Sequence, residues 1–219
     1  KALAILDLIK EAGLQPNEGV YAYLIECYAT QGNKEKALET LERMKESRVV
    51  PARRAYHAAL RACAQAKDST ALLSMFEKMT SKEGEGGEDI TPNRITYNHL
   101  IRGYLRVNEP DKAYTVMEQR MAKEGGLTPQ VDTFKLFVNY FFGRRDIETI
   151  FSAVKQFRKA GMVVNADVVA AVAECVMKAN EGSKVASVLE LAREGGIVIP
   201  KTVHKALVSL GAKSVNNNA

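Results

Sequence analysis

Apolar residues in this chain recur three and four positions apart in short bursts, separated by breaks of glycine, asparagine and charged residues. The stretch Glu18–Ala52 shows the unit: an apolar-periodic segment opening on Val20 and Tyr21, a break at Gln31, Gly32 and Asn33, and a second segment carrying Ala37, Leu41 and Met44. Residues at such spacing share one face of a helix, so the pattern predicts two short amphipathic helices joined by a turn. A Val-Val-Pro exit at Val49–Pro51 ends the unit.

The unit repeats. An aromatic at its fourth place returns as Tyr21, Tyr56, Tyr97 and Phe134, with Val169 last, at intervals of 35, 41, 37 and 35 residues. The exit proline returns as Pro16, Pro51, Pro92, Pro129 and, slipped by one, Pro200; Val164 replaces it once. Second helices keep the same ruler through Ala2, Ala37, Leu72, Ala113, Ile150 and Val185, and four residues later through Leu6, Leu41, Phe76, Met117, Val154 and Leu189. A fixed period in this range means stacked supersecondary units whose faces bury one another, not one compact globule. The predicted fold is all-α, an α-solenoid of helix-turn-helix repeats. Its divisions are a second half-unit at 1–17, five hairpins at 18–52, 53–93, 94–130, 131–165 and 166–201, a capping half-repeat at 202–211 and a flexible tail at 212–219. An extra residue in the third unit sets Met121 where strict register expects position 120, which a bulge or early helix end would absorb. The Gly- and acid-rich insertion Lys82–Asp89 reads as a mobile surface loop.

Composition adds little but excludes some classes. No uninterrupted apolar run is long enough to span a bilayer, and no membrane partner is expected. Thirty-one basic against 26 acidic residues give +5 and an isoelectric point near 9.0, which leans towards an anionic partner. Cys27, Cys63 and Cys175 fall in three different repeats with no CxxC pair, so three buried thiols in a reducing compartment are expected instead of a disulfide framework or zinc site. Lys1 opens within a second helix with neither methionine nor targeting segment, as a fragment or matured product would.

The segments Ile95–Met121, ITYNHLIRGYLRVNEPDKAYTVMEQRM, and Asn33–Pro51, NKEKALETLERMKESRVVP, resemble the pentatricopeptide repeat. The Thr-Tyr-Asn start at Thr96–Asn98, the proline closing a 35-residue period and the absence of tryptophan disfavour the tetratricopeptide alternative. The resemblance implies that first helices line a concave groove along which single-stranded RNA runs, one base per repeat. It also implies base reading by the fifth and closing residues of each unit. Those places hold Ala22 with Ala52, His57 with Asn93, Asn98 with Gln130, Lys135 with Asn165, and Ala170 with Lys201.

These are poor readers. Alanine offers no side-chain hydrogen bond, and lysine is a flexible point charge without an acceptor. The second place, whose apolar residue would sandwich a base, holds Gly19, Arg54, Ile95, Asp132 and Asp167; only Ile95 qualifies. Backbone contact is better supplied. The fifth, ninth and roughly thirteenth residues of a first helix form one groove-facing stripe: His57, Arg61 and Gln65, then Asn98, Arg102 and Arg106, then Lys135 and Asn139 with Arg144 and Arg145 just beyond. Flanking units offer Glu26 and Glu174, the latter offset by Lys178. Such a track can hold phosphates without reading bases. The competing reading is that these cations solvate an exposed face or pair with neighbouring acids. Tyr104, Tyr114, Phe137, Tyr140 and Phe141 are spaced as core residues, although aromatics in a groove can also stack on bases.

No catalytic constellation is present: His57, His99 and His204 lie in three units, without HExxH, a nucleophile elbow or a deaminase signature. No cofactor and no small-molecule substrate are expected. The resemblance alone implies organellar RNA metabolism, in a mitochondrion or alternatively a chloroplast. The leading expectation is a non-catalytic adaptor within a larger ribonucleoprotein, such as a mitochondrial ribosome or RNA-processing complex, with RNA and neighbouring proteins as partners. The alternatives are a free-standing sequence-specific RNA factor and a protein–protein scaffold.

Overall fold

A computed structural model describes residues 6, 8, 9, 11–81 and 90–216, with side chains described to residue 212. Among these residues all regular structure is helical, in two compact units, Lys1–Arg120 and Met121–Ala219. The first contains α1 (Glu18–Thr30), α2 (Lys34–Glu46), α3 (Arg53–Gln65), α4 (Ser69–Thr80), α5 (Arg94–Arg106) and α6 (Pro110–Thr115). A π-helical segment, Val116–Glu124, carries the division between the units. The second contains α7 (Val131–Phe142), α8 (Ile147–Lys159), α9 (Ala166–Ala179), α10 (Val185–Glu194) and α11 (Lys201–Asn216).

Helix starts are written in side chains. Asn17, Asn33, Asp68, Asn93, Asp146 and Asn165 each accept a hydrogen bond from a backbone N–H three residues on, satisfying a donor that the first turn leaves unpaired. At Asn93 the Thr96 hydroxyl completes a reciprocal capping box. Helix ends share a second device. First helices are followed by Gly32, Lys67, Asn108, Arg145 and Asn180, all at positive φ; Gly13, Arg48, Gly126, Gly161 and Gly196 do the same after second helices. A left-handed residue there turns the chain back and lets late carbonyls find partners.

Within the first unit α1, α3 and α5 pack successively as one layer, with α2 and α4 packed behind them. Within the second, α7, α9 and α11 form the layer, and α8 and α10 pair with them. The cores are the predicted stripes: Leu24, Ile25, Ala59, Leu60, Leu100 and Ile101 are buried, as are Tyr21, Tyr56, Tyr97, Phe134 and Val169. Tyr104, Phe137 and Phe141 are core too, whereas Tyr114 and Tyr140 are half-buried. Phe134 and Phe137 both meet Phe157 edge-on, with centroids 5.2 Å apart. Burying each such side chain contributes on the order of 2–3 kcal/mol.

Several expectations change. The extra residue of the third unit is absorbed as π-helix, which buries both Met117 and Met121. In the fifth unit Val185 keeps its expected buried place, but Val188 three residues on is fully buried and Leu189 is only half-buried. The predicted cap does not stop at Gly211: α11 runs on to Asn216. A Cβ at Gly211 would stand 3.6 Å from Val185, an ordinary van der Waals distance, so α11 packs against the start of α10 at this position. Cys63 and Cys175 are buried and Cys27 is half-buried, all three free. The Lys82–Asp89 insertion and Ala2 lie outside the described residues. No described helix is long and apolar enough to cross a membrane.

Candidate nucleic-acid interface

The layer α1–α3–α5 opens a cleft of about 500 Å³ lined by Glu26, Arg53, Arg54, His57, Ala58, Arg61, Asn93, Ile95 and His99. The α3 spacing builds one wall: Arg53, His57 and Arg61 follow at intervals of four, one above the other on a helix face. From α5 come Ile95, 57% exposed, and His99. The His57 and His99 rings lie 4.7 Å apart.

One hydrogen-bond chain sets the floor. Asn93 Oδ1 accepts from the Thr96 backbone N–H at 3.0 Å and from the Thr96 hydroxyl at 3.1 Å, and the Asn93 backbone N–H donates to Thr96 Oγ1 at 3.3 Å. His57 Nε2 meets the same hydroxyl oxygen at 2.9 Å. A hydroxyl has one proton. With that proton on Asn93, His57 satisfies the chain only as the Nε2–H tautomer, donating to Thr96. The base-facing candidates His57 and Asn93 are thus held by one network across two repeats.

Electrostatics follow from crowding. Burial, then Arg53, push the His57 pKa down to about 4. Burial, then His57, Arg102 and Arg61, push His99 down to about 4. Arg61 is itself lowered, first by burial and then by Arg106 and Arg102, so the three predicted arginines share one neighbourhood. Both imidazoles are neutral at pH 7, and the positive charge belongs to arginine.

The competing reading holds at two positions. Arg61 ion-pairs with Glu26 across α1 and α3, although its Nε stays buried without a hydrogen-bond acceptor. Lys178 pairs with Glu174 one turn away at 2.6 Å, as i,i+4 spacing favours. Arg102 and Arg106 are exposed, and among the described residues neither has a carboxylate partner. Arg144 stacks 3.7 Å from the Tyr140 ring centroid and donates to the Tyr140 carbonyl, while Arg145 is the left-handed residue ending its helix turn, at φ 59°.

The second unit has its own cleft, about 460 Å³, bringing Gln130 and Asn165 together with Asp132 and Asp167. Its two carboxylates repel phosphate. Asn165 also caps α9, and Lys135 is exposed outside that cleft. Asn98 is half-buried in α5. Arg53 and His99 escaped sequence reasoning. Extending the α3 stripe back by one turn would have found Arg53, whereas His99 meets His57 only through packing of α3 on α5. Among the described residues, no group of three or more His, Cys, Asp or Glu could hold a metal ion.

The model of the pentatricopeptide repeat domain matches residues 4–63 and 86–144. The chain belongs to the pentatricopeptide repeat family. It is 23% identical over 144 residues to the small ribosomal subunit protein mL103 (rPPR7) of Arabidopsis thaliana, covering 66% of this chain and 34% of that one. It is 24% identical over 155 residues to the mitochondrial 15S rRNA processing factor CCM1 of Yarrowia lipolytica, covering 69% of this chain and 20% of that protein. The chain thus spans a fifth to a third of the length of these relatives. Among solved structures it is similar to the pentatricopeptide repeat protein PPR10 of maize, with a TM-score of 0.75 at 21% identity over 92% of this chain and 28% of that one. It is also similar to PPR10 in complex with an 18-nt psaJ RNA element, with a TM-score of 0.65 at 18% identity over 87% of this chain and 27% of that one. At these identities the likeness to PPR10 is one of fold.

Proposed function

We propose that this chain is a non-catalytic RNA-binding segment of an organellar ribonucleoprotein, holding the RNA backbone by shape and charge. The observation that carries this reading is the cleft of the first unit: Arg53, Arg54 and Arg61 line it, and Arg102 and Arg106 stand beside it without carboxylate partners among the described residues. Cations on a recessed helical layer release counterions from a phosphate backbone whatever the base sequence. Base reading is poorly provided: Ala22 is buried and has nothing to offer. Asn93 and Asn165 spend their carboxamide oxygens on helix caps. The names of mL103 and CCM1 place those relatives in a ribosomal subunit and in mitochondrial rRNA processing, which supports a ribosomal or rRNA-processing assembly, in a mitochondrion, for this chain. The test is affinity for several unrelated single-stranded RNAs over a salt series. The reading expects similar affinities that all fall steeply with salt. A strong preference for one short sequence would favour a sequence-specific factor, and no RNA affinity would favour a protein scaffold.

A further inference from the structure

We propose that His57 and His99 form a proton-loaded phosphate contact, so that RNA binding in the first-unit cleft draws protons into the protein. The inference rests on the RNA reading above and adds a linkage to it. Two imidazoles 4.7 Å apart, surrounded by arginines and half-buried, are an unfavourable place for further positive charge. A phosphate changes that balance. Its negative charge offsets the arginines and gives each imidazolium an acceptor, so both pKa values rise on binding.

The facing groups can be named from each packed element. α3 supplies Arg53, Arg54 and Arg61; α1 supplies Glu26; α5 supplies Arg102, which acts on His99, while Arg106 acts on Arg61; Thr96 and its cap Asn93 are neutral partners. No residue of α2 or α4, the helices behind, lines the cleft. Glu26 is engaged by Arg61, so no carboxylate is left to charge the histidines in the free protein. The tautomer is consistent with this picture: His57 already donates from Nε2, and protonation adds N–H at Nδ1 without breaking the bond to Thr96.

The sign follows from linkage. A group whose pKa is higher in the complex binds an extra proton there, so affinity rises as pH falls through the bound pKa towards the free one and levels off below it. Both free values are about 4. If a phosphate returns one histidine to its ordinary value of roughly 6.5, affinity tightens about tenfold between about pH 7.5 and pH 5.5 by that linkage. A second coupled histidine adds to this.

The experiment measures the affinity of the whole chain for a short oligouridylate at both pH values and constant salt. Uracil and phosphodiester groups do not titrate in that window. The wild type and His204→Gln should tighten about tenfold or more, and the double variant His57→Gln/His99→Gln should not. Titration calorimetry of the wild type in two buffers of different ionisation enthalpy provides an independent reading, with net proton uptake expected at about pH 6. A flat pH response with intact binding, or tightening unchanged in the double variant, or zero proton uptake, overturns the linkage while leaving RNA binding in place. No binding at either pH overturns both.

Discussion

Arg102 and Arg106 differ from Arg61 in a way that RNA affinity should resolve. All three cluster, but Arg61 is committed to Glu26, whereas the other two have no carboxylate partner among the described residues. Each phosphate contact on a single strand contributes about 0.7 to the slope of log affinity against log salt. Extrapolated from about 1 M down to 0.1 M salt, one contact is therefore worth about fivefold. Arg102→Ala with Arg106→Ala should weaken binding about 25-fold at 0.1 M salt and flatten the slope by about 1.4. Arg61→Ala should cost clearly less, because a phosphate must compete with Glu26 for that guanidinium. Glu26→Gln should reverse the sign, tightening RNA binding up to about fivefold while steepening the slope. The ion pair is partly solvated, with side chains 29% and 36% exposed, so its loss should cost at most about 1 kcal/mol of folding stability. Fluorescence anisotropy over a salt series reads all three variants. A loss of about fivefold or more in Arg61→Ala, or weaker binding in Glu26→Gln, would refute the assignment of charge in this cleft.

Other predictions concern the scaffold. A Cβ at Gly103 would stand 2.4 Å and 2.9 Å from the two Cδ atoms of buried Leu72, so Gly103→Ala should lower unfolding free energy by about 1–3 kcal/mol in urea titration. Lys67 holds a left-handed turn at φ 55°; Lys67→Gly should stabilise by about 1 kcal/mol in the same assay, against the usual penalty of glycine. Phe157→Ala, which removes the ring shared by Phe134 and Phe137, should cost about 3–5 kcal/mol. The Asp68 pKa is lowered by its backbone bond to Ala71 and then by Lys34. Its contribution is present above its unfolded pKa of about 3.9 and is lost as pH falls through the folded value. Asp68→Asn should remove that part of the acid dependence of stability.

Much of the fold was legible because one period governs it. Tyr21, Tyr56 and Tyr97 mark equivalent buried places, and the stripes through Leu24, Leu60 and Leu100 follow from helical spacing alone. The caps were legible too, at Asn93 with Thr96, had the Asn-x-x-Thr signal been read as a helix start. What the spacing could not supply was anything decided between helices. Arg61 and Glu26 occupy the same stripe place on the first helices of consecutive repeats, and only packing turns that into an ion pair. His99 sits one residue off its stripe and meets His57 through the α3–α5 contact. Left-handed Lys67, Asn108 and Arg145 carry no glycine to announce them; position in the repeat, not residue type, fixes their backbone. Arg144 looked like a free cation in the sequence, and stacking on Tyr140 depends on a side-chain conformation that spacing does not specify.

Crosslinking the chain to uniformly photoreactive single-stranded RNA, followed by mass spectrometry of the attached peptides, addresses the central claim most directly. The account predicts attachment within α3 and α5, on the peptides carrying Arg53–Arg61 and Arg94–Arg106, with little on Asp132 and Asp167. Attachment confined to the second unit, or none at low salt, would contradict it.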